Sequence, residues 1–209
     1  MDGGELALGK GRFEAFSDGV FAIAITLLVL GFQLPGAGPE TNDGITSGLL
    51  ALWPQYLVYV ASFATVGIMW VNHHALFGRL KVVPHSVILM NLALLMIVSF
   101  LPFPTSVLGR FGLMRSPVIY YGLTLIAASL CFGALQYMVN LKPGERASFV
   151  DFMRRRNWWN TIGIVAYAAG VPIAYFSPLA TIVIYAAVAL YYMLPLGVRA
   201  AGAAHSAES

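Results

Sequence analysis

The chain has 209 residues, 59% of them hydrophobic and only 10% charged. Soluble domains carry about 25% charged residues, and a chain of this size cannot hide so much apolar surface from water. A mean hydropathy of +0.77 therefore excludes a water-soluble protein and indicates a membrane protein. The formal net charge is only +3. The basic residues cluster by loop, in the pattern that sets membrane orientation, so no nucleic-acid partner is expected.

Six apolar stretches follow in chain order, each judged against the ~20 residues a membrane-spanning helix needs. The first covers residues 16–34 and closes at Pro35-Gly36. The second covers 49–77 and opens at Trp53-Pro54, where proline is tolerated in a first helical turn. The third covers 86–108, with Pro102 and Pro104 expected to bend or end it. For the fourth, 117–139, Ser116 is the expected N-cap ahead of Pro117. The fifth and sixth, 158–176 and 178–198, are divided only by Ser177-Pro178, which makes them an antiparallel hairpin. The expected fold is all-α: a polytopic membrane protein with residues 1–209 forming a single six-helix transmembrane domain. Reading the N-terminus as a secretory signal peptide, cleaved near Gly36-Ala37-Gly38, is disfavoured. Glu5, Glu14 and Asp18 do not suit a basic leader, and the apolar run is too long for one. The single cysteine, Cys131, cannot form an internal disulfide.

Loop charges orient the spans. Lys10 and Arg12 precede the first; Arg79 and Lys81 follow the second; Lys142, Arg146, Arg154, Arg155 and Arg156 separate the fourth from the fifth; Arg199 follows the sixth. In a six-span chain these loops share one side and hold ten of the twelve Lys and Arg, leaving Arg110 and Arg115 opposite. Both termini are thus expected in the cytoplasm, and the protein in a bacterial or archaeal inner membrane. Arg154–Arg156 could touch anionic lipid, but as topology determinants they need no further role. Trp53, Trp70, Trp158, Trp159, Tyr191 and Tyr192 fall near span ends, as interfacial aromatic belts do.

The first helix has two surfaces. At about 100° per residue, Gly19, Leu27, Leu30 and Leu34 lie within about 40° of Ile23, with Thr26 about 60° to one side. Arg12 and Phe16 extend this stripe downward. Asp18 points about 140° away and Ser17 about 120° the other way. By itself the stripe fits ordinary packing or lipid contact, and Arg12 fits interfacial snorkelling. Asp18 is harder to dismiss, because an unpaired carboxylate toward hydrocarbon costs a few kcal/mol or more. The small residues Ala15, Gly19, Ala22 and Ala24 would let other backbones approach closely. Partners for Asp18 and Ser17 are available in Met69–Phe77 of the second span, which returns to the same membrane side. Trp70 offers an indole N–H, and Asn72, His73 and His74 offer donors and acceptors. Trp70 shares a face with His73 and with His74, at three and four residues' spacing. An inter-helix hydrogen-bonded clamp is therefore expected; the bland alternative seats the histidines in the headgroup zone.

Other chemistries are set aside. His73 and His74 splay apart as helical neighbours, whereas metal ligands on one helix need i,i+3 or i,i+4 spacing. Ser17 lacks the histidine-activated setting of a serine nucleophile, and no catalytic constellation or phosphate-binding loop occurs, so neither an enzyme nor a cofactor is expected. Thr65-Val66-Gly67 has the first letters of a carbonyl filter but lies within an unbroken apolar span, where no filter can form.

The stretch Arg12-Phe13-Glu14-Ala15-Phe16-Ser17-Asp18, running into Gly19–Leu30, together with Trp70–Phe77, resembles the prokaryotic members of the transmembrane protein 175 family, relatives of the endolysosomal potassium channel. The match to the family signature rests on Arg12, Phe16, Ser17 and Asp18. The resemblance implies a potassium-preferring cation channel without a P-loop filter. In it the first helix lines the pore, Ile23, Leu27 and Leu30 form the constriction, and Thr26 turns a hydroxyl to the ion. It also implies that the signature residues pair with Trp70, His73 and His74 to hold the pore helix. Animal relatives carry two six-span repeats per chain, so this chain, with one copy of the motif, implies a homotetramer. Potassium is then the permeant ion, and the lipid bilayer and other copies of the chain are the partners. The rivals are a proton-coupled transporter using Asp18 and a span-two histidine as a relay, and a non-conducting membrane scaffold.

Overall fold

A computed structural model describes residues 9–32, 41–140 and 158–193. Among these residues the only regular secondary structure is helical. Helix α1 (Lys10–Leu27) tightens into a 3₁₀ turn at Leu28–Gly31. A short helix α2 (Asn42–Ala51) precedes α3 (Trp53–Phe77). Helices α4 (His85–Phe100) and α5 (Pro102–Phe111) follow, then α6 (Arg115–Asn140), α7 (Trp158–Ile173) and α8 (Pro178–Met193). Four stretches are long and apolar enough to cross a membrane: Lys10–Gly31, Trp53–Phe77, His85–Phe111 and Arg115–Asn140. Ile162–Ile173 and Pro178–Tyr192 are apolar but shorter. Leu34, Pro35, Lys142, Arg146, Arg154, Arg155, Arg156 and Arg199 lie outside the described residues.

Several boundaries differ from the expected ones for local reasons. The first helix starts six residues early because the charged turn Lys10–Glu14 is itself helical, with Lys10 Nζ 3.6 Å from Glu14 at i,i+4. The expected second span merged two helices. Thr41 caps α2 by accepting the Gly44 N–H at 3.1 Å, and the chain breaks at Leu52 before Pro54 opens α3. Ser116 is not an N-cap, since α6 already begins at Arg115 and takes Pro117 into its first turn, where the missing N–H costs no bond. Ser177 does cap α8, its Oγ accepting the Ala180 N–H at 3.2 Å.

Pro102 and Pro104 divide the third span without ending it. Proline removes two backbone donors, and Leu101 stays in the α region (φ −52°, ψ −35°) as the junction between α4 and α5. Thr105 stabilises the bend. Its Oγ1 lies 2.9 Å from the Leu101 carbonyl and 3.0 Å from Ser62 Oγ, which is in turn 2.9 Å from the Tyr121 hydroxyl. All three side chains are buried, so α3, α5 and α6 are tied together by satisfied hydroxyls. Burial without such partners would cost a few kcal/mol.

Helix α1 packs on α3 and α4, and its 3₁₀ turn packs on α5. That approach is close. A Cβ on Gly31 would sit 3.1 Å from the Ser106 Cβ and 3.2 Å from its Cα. At the far side α7 and α8 run antiparallel. Gly163 pairs with Tyr192, Tyr167 with Tyr185 and Gly170 with Thr181, so the partners descend one helix as they climb the other. The bundle thus has α1 at one flank and the α7–α8 hairpin at the other, with α3 and α6 between them.

Candidate functional site

Helix α1 divides along its length. Phe13, Ser17, Phe21, Ala24 and Leu28 are buried against the bundle. The opposite stripe is open: Ile23 is 60% exposed, Leu27 40% and Leu30 72%. Arg12, Phe16, Gly19 and Thr26 share that exposure. Ala15 and Ala22 are also exposed, and a Cβ on Gly19 would meet nothing within 4 Å; of the small residues only Ala24 packs inside this chain. Thr26 donates its hydroxyl hydrogen to the Ile23 carbonyl at 2.9 Å, which leaves the oxygen lone pairs facing outward.

The buried side of α1 is held at two points. Trp70 Nε1–H of α3 donates to Asp18 Oδ1 at 2.8 Å. Next to it, Asn91 Nδ2–H of α4 donates to Ser17 Oγ at 3.0 Å, and Ser17 passes its own proton to the Phe13 carbonyl at 3.1 Å. The Asn91 Oδ1 lies 2.7 Å from His73 Nε2. With the amide nitrogen committed to Ser17, this oxygen can only accept, so Nε2 of His73 carries the hydrogen. Ser17 and Asn91 are fully buried and His73 is 2% exposed. The rings of Phe21 and Phe77 flank His73 at 5.3 and 4.5 Å, and Phe77 meets Phe13 at 4.9 Å. The polar chain therefore runs through an aromatic box where water cannot replace a lost partner, which makes each unmade bond expensive.

The structure brings Asp18 to Trp70, and Ser17 to His73 through Asn91, a residue the sequence argument passed over. Three residues of the expected clamp stand apart from these bonds. His74 is exposed, its ring 6.0 Å from that of Trp70, because one helical step turns it about 100° from buried His73. Arg12 makes no ion pair with Asp18 among the described residues, since the two lie about 120° apart around α1. Phe16, 56% exposed, belongs with the open stripe. Among the described residues His73 and Asp18 share no direct hydrogen bond, and the His73 chain ends on the Phe13 backbone carbonyl. Among the described residues no group of three or more His, Cys, Asp or Glu could hold a metal.

A polytopic helical membrane protein is thus defined, with a leading helix bolted to the bundle from behind and apolar in front. Residues 12–102 match the family described as endosomal/lysosomal potassium channel TMEM175. A potassium channel of Streptomyces collinus is 36% identical over 212 aligned residues, covering 93% of this chain and 98% of its own. One from a Chryseobacterium species is 34% identical, covering 89% and 93%. The crystal structure of a lysosomal potassium-selective channel TMEM175 homologue from Chamaesiphon minutus superposes with a TM-score of 0.75 at 33% identity, covering 88% of this chain and 96% of that one. The chain belongs to the TMEM175 family.

Proposed function

We propose that this protein is a potassium-preferring cation channel in which four copies of α1 surround an axial pore. The observation that carries the reading is the open stripe of Ile23, Leu27 and Leu30 on α1, whose opposite side is held by the Trp70–Asp18 and Asn91–Ser17 hydrogen bonds. Exposed Ala15, Gly19 and Ala22 beside that stripe would let neighbouring copies of α1 approach closely. Rings of Ile23, Leu27 and Leu30 then make an apolar neck that gates by dewetting and passes ions when it widens and wets. An ion crossing the neck sheds part of its water, and potassium holds its shell less tightly than sodium. The outward lone pairs of Thr26 replace part of what is lost, and the absence of a carbonyl cage keeps selectivity moderate. Residues 1–209 act as one six-span domain in the cell membrane with both termini cytoplasmic. Lys10, Arg12, Arg79 and Lys81, gathered at one end of α1 and α3, support that orientation.

The test is Ile23→Asn in a planar bilayer. A polar ring wets the neck, so conductance is expected to rise and potassium-over-sodium discrimination to fall. Unchanged unitary currents and reversal potentials would remove Ile23 from the conduction path.

A further inference from the structure

Ser17 and Asp18 fasten α1 to the bundle and Phe16 continues its apolar stripe, which leaves Arg12 without a task. Arg12 lies only about 20° from Ile23 around α1 and about 16 Å below it along the axis. It is exposed, and among the described residues its guanidinium makes no ion pair and covers no aromatic ring.

The neighbouring carboxylates do not neutralise it. Glu14 points about 160° away from Arg12 and lies 3.6 Å from Lys10. Asp18 points about 120° away and accepts from Trp70. Asp43 is the remaining carboxylate among the described residues, and it belongs to α2, beyond the far end of α1. The other titratable side chains that end α3 and open α4 are His74, Arg79, Lys81 and His85, which add positive charge or none. A guanidinium does not lose its proton in a protein. The stripe that carries Ile23, Leu27 and Leu30 therefore begins with a fixed, uncompensated positive charge.

We propose, resting on the channel reading above, that Arg12 of each copy contributes to a positive ring at one mouth of the pore. The ring depresses cation entry from its own side, so potassium passes more easily toward Arg12 than away from it. In the proposed orientation that mouth is cytoplasmic, and the asymmetry favours uptake of potassium over its loss. Four unit charges about 10 Å from an axial ion, screened over about 10 Å at about 0.1 M salt, lower entry about threefold. At about 1 M salt the screening length falls to about 3 Å and the factor to about 1.1.

The experiment records unitary potassium currents of the full-length protein in a planar bilayer with equal salt on both sides. At about 0.1 M the currents at equal and opposite voltages should differ about threefold, and at about 1 M they should be nearly equal. Arg12→Gln should make them nearly equal at both concentrations. Arg12→Cys is made in a Cys131→Ala chain, so that position 12 carries the single thiol. A cationic methanethiosulfonate applied from the Arg12 side should restore the asymmetry, and an anionic one should reverse it. A merely structural role at position 12 would not follow the sign of the added charge. Currents whose shape ignores the charge at position 12, while Ile23→Asn alters conductance, overturn the ring and leave the channel reading standing. Absence of unitary currents, or an Ile23→Asn protein indistinguishable from the unmodified one, removes the channel reading and the ring with it.

Discussion

Asn91 carries the most exposed energetic consequence of the structure. Replacing it with leucine keeps the branched heavy-atom outline, though it is bulkier, and deletes both halves of its amide. The His73 Nε2–H then loses its acceptor in a box closed by Phe21 and Phe77, and Ser17 Oγ loses its donor. Ser17 still donates to the Phe13 carbonyl, so its loss is the smaller one. An orphaned buried donor costs about 1–3 kcal/mol, while hydrogen bonds between membrane helices average nearer 0.6 kcal/mol. The expected destabilisation of Asn91→Leu is therefore about 1–2 kcal/mol. For a chain of this size that lowers the melting temperature by about 2–8 °C. The assay is thermal unfolding of the detergent-solubilised protein, run as a cycle with His73→Phe. If the cost of Asn91→Leu comes from the orphaned His73 donor, it should shrink by about 1 kcal/mol once His73 is already phenylalanine. Strict additivity of the two substitutions would refute the shared bond.

Three further outcomes follow from the geometry. Asp18→Ala leaves Trp70 without its acceptor and loosens α1, so tetramer yield by native mass spectrometry should fall while selectivity of the surviving channels stays close to that of the unmodified protein. A fully assembled variant would show that the bond does not set assembly. Gly122 and Gly170 both press on Tyr185, but differently: a Cβ on Gly122 collides chiefly with the hydroxyl, and one on Gly170 collides with the ring itself. Gly122→Ala should lower stability by about 1–3 kcal/mol and be largely rescued by Tyr185→Phe, whereas Gly170→Ala should not be rescued, as read from melting temperatures. Thr26→Val keeps the shape of α1 and removes the outward oxygen, so the potassium-to-sodium permeability ratio should drop with assembly unchanged; an unaltered reversal potential would show that the hydroxyl does not meet the ion.

The division of α1 into two faces was legible because a period of 3.6 residues is written into its side chains, and the membrane class was legible from composition. The bend at Pro102 and Pro104 was legible because proline removes donors wherever it stands. Helix α2 was hidden, since Leu49 and Leu50 merge with the apolar run that follows and all of its residues are exposed or half-exposed. Nor could the sequence decide between His73 and His74. Both are polar residues near a span end, and only the azimuth of α3 against α1 and α4 selects the buried one. Asn91 did leave a signal. It is an amide inside His85–Phe111, a stretch apolar enough to cross a membrane, and such a residue needs an interhelical partner. Looking for partners of Asp18 in the second span alone passed it by.

Rotation is the property that the two attachments fix. One bond would let α1 turn about its axis, but Ser17 and Asp18 are neighbours that point about 100° apart. One is held by α4 through Asn91 and the other by α3 through Trp70. The bisector of their directions lies about 170° from Ile23, so the hydrogen bonds grip α1 from directly behind its open stripe. Advancing the register by one residue would swing Ile23 about 100° toward α3 or α4 and would break both bonds together. On the proposed channel reading every copy must present the same side chains at the same angle, and these two bonds would set that angle within each protomer. It also explains why a polar pair is placed in an apolar helix at all. Aliphatic packing tolerates rotation and exchange of near-equal side chains, whereas a half-buried carboxylate and a buried hydroxyl with separate partners accept only one azimuth.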